Sequence, residues 1–316
     1  MMSRLALWSC LVFLAPVAQA FEVAPQRVAE NVYALVGPTG ARTYENYGLN
    51  ANFGFIVTEE GVAVIDSGAS RQGAQVIERA VHTVTAQPIR WIINTGSQDH
   101  RWLGNGYLQE KGAQVIALQR TVRTQREFAV QHLAGLKSVL KERLAGTEAR
   151  FASQPIAGDS AVLTLGGIAV ELRWFGDAHF PGDAVVWLPR QQVLFSGDLV
   201  YVDRMLGVLP WSRVGSWRTA FDAALATLKP AIIVPGHGSV CDADKAQRDT
   251  GDYLAWLLAE IKPAAENWEG LDATVNKYGD ATRWRYLENS DALHRGNLNR
   301  SYVQFENNKT GEVPTP

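Results

Sequence analysis

The stretch Asn94–His100 has the sequence NTGSQDH and places an aspartate directly before a histidine, just after the apolar run Arg90–Asn94. That run is typical of a buried strand, and the polar stretch with its glycine is typical of the turn that follows one. Because successive residues of a strand point to opposite faces, Asp99 and His100 can serve one site only from an irregular turn. We therefore expect a loop at a strand end that carries metal-binding or catalytic side chains.

Three further segments combine glycine with a histidine or an aspartate. They are Gly176–His179, Ser196–Asp198 and Pro235–Gly238, and each lies beside an apolar run that is typical of a strand. Imidazole nitrogen and carboxylate oxygen are ligands that zinc takes in catalytic sites, where one position stays open for water or substrate. Each segment alone is a weak signal, but the four segments together predict a metal site.

The order of these segments resembles that of the metallo-β-lactamase superfamily, over roughly residues 30 to 240. The usual first motif of that superfamily is H-x-H-x-D-H, and this chain keeps the D-H pair but lacks both upstream histidines. The two lost positions fall at Thr95 and Ser97 without a gap, or at Gly96 and Gln98 with a one-residue deletion. None of these is a good zinc ligand, so the resemblance implies a degenerate first metal site and one bound zinc ion.

The resemblance also implies a ligand set. In the superfamily the motif aspartate and histidine hold the second metal with a last histidine, a middle histidine serves the first metal, and one aspartate bridges both. The metal ligands carried over to this chain are Asp99, His100, His179, Asp198 and His237. The implied activity is zinc-dependent hydrolysis, in which a metal-bound hydroxide, oriented by Asp99 and assisted by Asp198, attacks an ester, thioester or lactam-type bond.

A closer resemblance rests on Asn94–Asn105, NTGSQDHRWLGN, together with the N-terminal segment. Both are similar to the quinoprotein relay system zinc metallohydrolases, an exported branch found alongside quinoprotein dehydrogenases. This implies a periplasmic quinoprotein dehydrogenase system as a partner, although the chain has no C-x-x-C-H haem motif of its own. Two alternatives stay open: a non-hydrolytic accessory or binding protein on a degenerate hydrolase scaffold, and a metal-based sulfur-transfer or oxidation enzyme.

Residues 1–20 have the pattern of a cleavable signal peptide. Arg4 supplies a positive start, Leu5–Pro16 is mostly apolar, and Ala18 and Ala20 form a small-x-small cleavage signal before Phe21. The apolar run is short for a membrane span, so we expect a periplasmic or secreted protein rather than an anchored one.

Cleavage would remove one arginine and no acidic residue, and so take the formal net charge from −2 to −3. A weakly acidic chain disfavours a nucleic-acid partner or an anionic membrane surface, and it leaves a small-molecule substrate as the expected ligand. The mature chain would keep only Cys241, so no intramolecular disulfide is expected.

Hydrophobic spacing predicts two sets of strands, each followed by a helix, and hence two sheets flanked by helices. The fold class is α/β, a four-layer αβ/βα sandwich in residues 21–240, with a C-terminal helical extension over residues 241–316 packed on it. The predicted strands are Val32–Val36, Gly54–Thr58, Val62–Ile65, Arg90–Asn94, Ala161–Leu165, Ile168–Trp174, Ala184–Leu188, Gln192–Phe195 and Ala231–Val234. The predicted helices include Gln72–Val84, Ala117–Ala145 and Trp217–Leu228.

The other polar side chains near these segments are given structural roles. We expect Asp66 to support the ligands or a turn, and Asp183 to hold a turn. His132 lies on an apolar helical stripe and is expected to pack in the core, while His82 and His294 have polar neighbours and are expected to be solvated.

The polar segment Gly37–Asn52 is placed like the loop that covers the metal cleft in the metallo-β-lactamase superfamily, so the resemblance implies a lid over the metal site. Nearby aromatic residues either line a pocket for an apolar or ring-bearing substrate or pack in the ordinary way. They are Tyr44, Tyr47, Trp102, Tyr201, Trp211 and Trp217.

Overall fold

The computed structural model describes residues 21–310, which contain two β-sheets. The strands are β1 (Pro25–Ala29), β2 (Val32–Leu35), β3 (Phe53–Val57), β4 (Val62–Ile65), β5 (Ile89–Ile93), β6 (Gln114–Ile116), β7 (Ser160–Leu165), β8 (Ile168–Arg173), β9 (Val185–Leu188), β10 (Val193–Tyr201) and β11 (Ile232–His237). One sheet has β1 to β6 in chain order, and the other has the order β11-β10-β9-β8-β7. The signal peptide predicted for residues 1–20 lies outside the described residues.

Helices cover the sheets and fill the C-terminal part of the chain. They are α1 (Arg71–His82), α2 (Asp99–Trp102), α3 (Asn105–Glu110), α4 (Gln119–Leu140), α5 (Val214–Leu228), α6 (Ala243–Ala246), α7 (Asp252–Trp256), α8 (Lys262–Glu266), α9 (Leu271–Tyr278) and α10 (Ser290–Thr310). Short 3₁₀ turns follow at Lys141–Leu144 and Thr282–Trp284, and π turns at Gln247–Gly251 and Leu257–Ile261. Between residues 21 and 310, no helix is both long and apolar enough to cross a membrane.

The two sheets pack face to face, with helices on both outer sides. Ile56 and Ile93 of the first sheet share a buried cluster with Val186 and Phe195 of the second. The sheets approach so closely that a Cβ atom at Gly54 would lie 2.1 Å from the Phe195 ring, and glycine is required there. The predicted four-layer αβ/βα sandwich is therefore confirmed.

Each outer layer has its own apolar core. The face of α1 that carries Ala74 and Ile77 packs on the first sheet, and the helix begins where the Ser70 hydroxyl accepts from the Gly73 N–H at 3.0 Å. Trp217 of α5 packs with Tyr253 and Tyr302 on the second sheet. The predicted helical region after Cys241 is thus present, and it shares a core with the sandwich.

The two strands that carry ligand candidates are longer than predicted. We expected strands ending at Phe195 and Val234, but β10 runs on to Tyr201 and β11 to His237. The pairing continues because bulges interrupt its register at Gly197, where φ is 50° and a Cβ atom would lie 2.5 Å from Thr95 Oγ1. Asp198 and His237 therefore lie within the ends of neighbouring parallel strands rather than in the turns beyond them.

Candidate metal centre

Three of the five predicted ligands come together at one edge of the sandwich. His100 lies in α2 after β5, Asp198 in β10 and His237 at the end of β11, and one ligand atom from each lies within 4.8 Å of the others. Among residues 21–310, these three are the histidine, cysteine or acidic side chains whose ligand atoms lie close enough together to hold a metal ion. Its side chains are buried, with exposed fractions of 4% for His100, 0% for Asp198 and 5% for His237.

His237 presents a nitrogen lone pair to Asp198. Its Nδ1 lies 2.8 Å from the carbonyl oxygen of Asn50. A carbonyl only accepts, so Nδ1 carries the proton; the approach of Arg204 Nη1 to the same nitrogen is longer, at 3.5 Å. The other nitrogen, Nε2, lies 3.3 Å from Asp198 Oδ1. In a neutral ring this is one acceptor facing another.

The charge states of His237 and Asp198 make this contact repulsive. Burial lowers the pKa of His237 to about 3, so the ring is neutral at neutral pH. Burial opposes the charge of Asp198 as well, but the Arg101 guanidinium outweighs it and holds the pKa of that carboxyl well below its ordinary value. A lone pair then faces a carboxylate without a proton between them, an arrangement that a cation would relieve.

His100 is held in the same manner from the other side. Its Nε2 lies 3.1 Å from Asp198 Oδ2, and its Nδ1 lies 3.3 Å from Asp99 Oδ1. A histidine whose outer nitrogen bonds to a carboxylate or carbonyl while its inner nitrogen faces the site is the usual arrangement of a metal-binding histidine. The donor set of two imidazoles and one carboxylate also suits zinc. These residues therefore fit a single metal ion.

Asp99 lies outside this group, contrary to its predicted place as a metal ligand. It is the first residue of α2, and its carboxylate turns to Arg42, with Nη1 at 2.5 Å from Oδ2. Burial opposes its charge, but Arg42 and His100 lower the pKa of Asp99 below its ordinary value. The negative carboxylate therefore orients the His100 ring.

His179 also lies outside the group. Its Nε2 is 2.9 Å from Gln98 Oε1, and its ring packs 5.3 Å from that of Trp217. Burial lowers the pKa of His179 to about 4, so this ring too is neutral at neutral pH. Gln98 is thus the replacement side chain that meets His179.

The other three replacement positions do not offer a side chain to the ligand group. The hydroxyl of Thr95 donates to Asp66 Oδ2 at 2.6 Å. That of Ser97 donates to the Pro181 carbonyl at 2.6 Å, and Gly96 has no side chain. Among the four, Gln98 alone faces a predicted ligand.

Arg101 was not predicted, and it is the most heavily bonded side chain of the site. Its guanidinium donates to Asp198 Oδ1 at 2.5 Å and Oδ2 at 3.1 Å, and to Asp66 Oδ2 at 3.2 Å. It also donates to the carbonyls of Asn52 at 2.9 Å and Gly236 at 3.2 Å. Only 1% of the side chain is exposed. The one sequence feature that could have indicated this role is the position of Arg101 directly after the D-H pair. Arginine is mostly solvent-exposed, so that position alone did not suggest a buried residue.

Tyr201 was predicted only as a pocket or packing residue. Its hydroxyl donates to Asp198 Oδ1 at 3.1 Å, and its ring stacks on that of His237 with centroids 4.6 Å apart. Asp198 thereby has donors on every side except where it faces the two imidazole nitrogens.

The predicted lid, Gly37–Asn52, lies over the site. It supplies Arg42 to Asp99 and the Asn50 carbonyl to His237. Asn289 of the C-terminal region holds it by donating to the Thr39 carbonyl at 3.0 Å. On the other side Arg143 stacks over Tyr44, with Cζ 3.8 Å from the ring centre. The segment therefore covers the three grouped side chains in this structure, which explains their low exposure.

Asp66, Asp183 and His132 were predicted to have structural roles. Asp66 binds the backbone N–H of Thr95 at 2.7 Å, and Asp183 binds that of Phe180 at 2.7 Å, so both support turns as expected. His132 packs against Phe128.

His82 is exposed as predicted, but the prediction for His294 is wrong. It is buried between the Tyr253 hydroxyl and the Tyr278 carbonyl, each at 2.9 Å. Polar neighbours in the sequence concealed this, because α10 turns that one face to the core. Phe128, Phe180 and Trp211 pack on one another, with ring centroids 4.9 to 5.6 Å apart.

Comparison with known proteins agrees with this architecture. The family model described as "Metallo-beta-lactamase superfamily" matches residues 46–237. A metallo-beta-lactamase type 2 from Bacteroides fragilis is 28% identical over 138 residues, which cover 43% of this chain and 47% of that protein. Metallo-beta-lactamase IND-1 from Chryseobacterium indologenes is 24% identical over 210 residues, covering 66% of this chain and 77% of that protein. The first match thus spans less than half of the relative.

Solved structures show the same fold. A metallo-beta-lactamase from Pontibacter korlensis superposes with a TM-score of 0.60 at 20% identity, covering 74% of this chain and 99% of that chain. The DIM-1 metallo-beta-lactamase exposed to ceftazidime also gives 0.60, at 18% identity, covering 76% of this chain and 99% of that chain. At such identities the likeness concerns the fold alone.

Proposed function

The chain belongs to the metallo-β-lactamase superfamily, because the family model covers more than half of its length, and from this premise we propose that it is a metal-dependent hydrolase. The proposal assigns one zinc ion to His100, Asp198 and His237. The observation that carries it is the His237 nitrogen lone pair held 3.3 Å from the Asp198 carboxylate. A divalent cation between them turns a repulsive contact into two bonds.

The chain supplies what a zinc site needs beyond its ligands. Asp99 fixes the ring of His100 through Nδ1, and the Asn50 carbonyl fixes that of His237. Such partners set the ring orientation and raise the basicity of the binding nitrogen. Tyr201 and Arg101 hold the carboxylate of Asp198 from other directions.

When bound, zinc supplies Lewis acidity that polarises a carbonyl and acidifies water. Three protein ligands leave a position for a reactant. The side chains of Gln98 and His179 lie beside the ligands and offer polar groups that bind and orient a substrate. We assign an ester, thioester or lactam-type bond as the reacting group, with Asp198 as a ligand and Asp99 as a positioning residue for His100.

Hydrolysis also requires the lid Gly37–Asn52 to move. Arg42 covers Asp99, and less than a tenth of each ligand side chain is exposed. Substrate would enter as Arg42 withdraws, while Asn50 keeps its bond to His237. Lids of this kind exclude water during the reaction and open for exchange.

The test is hydrolysis of an ester, a thioester and a β-lactam by the purified, zinc-loaded protein. We expect turnover of at least one substrate, and its loss in His237→Ala and His100→Ala. The matched control is His82→Ala, which removes a histidine that lies on the surface with 43% of its side chain exposed. Activity that survives in both ligand variants would contradict the proposal.

The proposed setting is the periplasm, or the medium outside the cell, beside a quinoprotein dehydrogenase system. The supporting features are the leader composition of residues 1–20 and the similarity of Asn94–Asn105 to the exported relay-system branch. Edman sequencing of exported protein that begins at Phe21 would support export. A full-length chain retained in the cytoplasm would contradict it.

A second candidate, a non-hydrolytic accessory protein, is favoured by one specific observation. The carboxylates of Asp66, Asp99 and Asp198 are each already paired with Arg101 or Arg42, so every one of them has a cationic partner without a metal. This candidate predicts no turnover and co-purification with a periplasmic dehydrogenase or cytochrome. Turnover lost in His237→Ala would rule it out.

A further inference from the structure

The guanidinium of Arg101 lies in a cage of five oxygen atoms. The cage consists of Asp66 Oδ2, Asp198 Oδ1, Asp198 Oδ2, Asn52 O and Gly236 O, at 2.5 to 3.2 Å from the guanidinium nitrogens. Arginine has five N–H groups, and the cage presents five acceptors. The fit leaves no donor of this buried group unused.

The composition of the cage is that of a cation site. Two carboxylates and two backbone carbonyls are the oxygen ligands that hard divalent ions prefer. Asp66 and Asp198 are each about 1% exposed, so water cannot neutralise them. A buried pair of carboxylates without a cation between them would repel strongly in the low-dielectric interior. The chain meets this need with its own side chain.

Local geometry shows how the arginine reaches the cage. The side chains of Gln98, His100 and Arg101 enter the site, while Asp99 turns outward to Arg42. The motif H-x-H-x-D-H also aligns without a gap on Gly96–Arg101, with Gly96 and Gln98 at the upstream histidine positions and His100 at that of the aspartate. In that register, Arg101 stands where the motif has its last histidine.

We propose that the Arg101 guanidinium is a built-in cation that occupies a second cation position beside the His100, Asp198 and His237 group. It binds both oxygens of Asp198 on one side, so the carboxylate has one free side for an added ion. The cage thereby limits the centre to a single divalent metal ion. That last consequence rests on the proposed function, whereas the cage itself does not.

The test replaces the cation. Arg101→Ala leaves a cavity lined by the five oxygens, and we expect it to bind about one more manganese ion per chain than the wild type. Manganese is the probe because it favours oxygen ligands. The measurements are metal content by mass spectrometry after equilibration with manganese, and the melting temperature with and without the ion. The variant should melt below the wild type and recover on addition of manganese.

Two matched variants keep the test specific. Arg101→Lys retains a positive charge in the cage and should gain no ion. Arg42→Ala breaks the neighbouring pair of Arg42 with Asp99, where the guanidinium is not ringed by five oxygens, and should gain none either. If Arg101→Ala does not fold even with manganese, Arg101→Gln is measured in its place. Glutamine keeps a hydrogen-bond donor in the cage, and the expected gain is again about one manganese ion per chain.

The number of bound ions per chain in each variant is compared with that of the wild type. A gain of one ion in the alanine or glutamine variant supports the inference even if the wild type binds no metal, in which case only the proposed function fails. An unchanged ion count in a folded variant overturns the inference, as does an equal gain in Arg42→Ala. A wild type that binds two ions overturns the single-ion consequence.

Discussion

Replacing Arg101 by methionine should cost about 5 kcal/mol of folding free energy, the upper end of what breaking a buried ion pair costs. The size follows from what is left behind: Asp66 and Asp198 lose their shared cation, and the carbonyls of Asn52 and Gly236 lose donors. Methionine fills the space with an apolar chain, so the loss comes from unpaired polar groups rather than from a cavity.

Urea unfolding followed by tryptophan fluorescence, in the presence of a chelator, measures this free energy apart from metal binding. The double variant Asp198→Asn/Arg101→Met is the control, since removing the charge of one stranded carboxylate should recover at least about 1 kcal/mol. Two results would refute the argument that Arg101 balances buried charge. One is a loss of folding free energy under about 2 kcal/mol in Arg101→Met. The other is a loss in the double variant equal to the sum of the losses in Arg101→Met and Asp198→Asn measured singly.

Further predictions concern the ligands and the lid. Asp99→Ala should weaken zinc binding by about 10- to 100-fold in a competition assay with a chromogenic chelator, because the ring of His100 loses its orienting partner; unchanged affinity would exclude that role. The neutral forms of His237 and His179, whose pKa values burial lowers to about 3 and about 4, stabilise the fold above the unfolded pKa of histidine. That stability should be lost as the pH falls from about 6.5 toward those values. Measured by urea unfolding with a chelator, His179→Gln should show a shallower pH dependence than the wild type, and equal slopes would contradict this. Asn289→Ala should speed hydrogen exchange in residues 39–46, whereas His82→Ala should not; protection equal to wild type would show that Asn289 does not hold the lid.

The fold was predictable because its determinants are local and repeated. Apolar runs such as Val62–Ile65, followed by the helical spacing after Ser70, specify strands and a helix without knowledge of distant contacts. The strand ends were missed where a glycine bulge extended the pairing: Gly197 looks like a turn residue, but its positive φ lets β10 continue beside β11.

The site was predictable in its ligand types but not in its charge pairing. The grouping of His100, Asp198 and His237 was predictable because such residues occur in short glycine-containing segments of recognisable order. The orientation of Asp99 depends on Arg42, some 57 positions away in the chain, and the role of Arg101 depends on carbonyls from two other segments. Such pairings are tertiary contacts, and the hydrophobic periodicity of the sequence does not predict them. A buried arginine is also rare enough that the sequence favours the solvated alternative.

The central claim, one zinc ion held by His100, Asp198 and His237, is tested most directly by the metal content of the purified protein. Mass spectrometry of the metals should find about one zinc ion per chain in the wild type and in His82→Ala. His237→Ala should retain almost none after dialysis. Two ions per chain, no zinc in the wild type, or full retention of zinc without His237 would contradict the account.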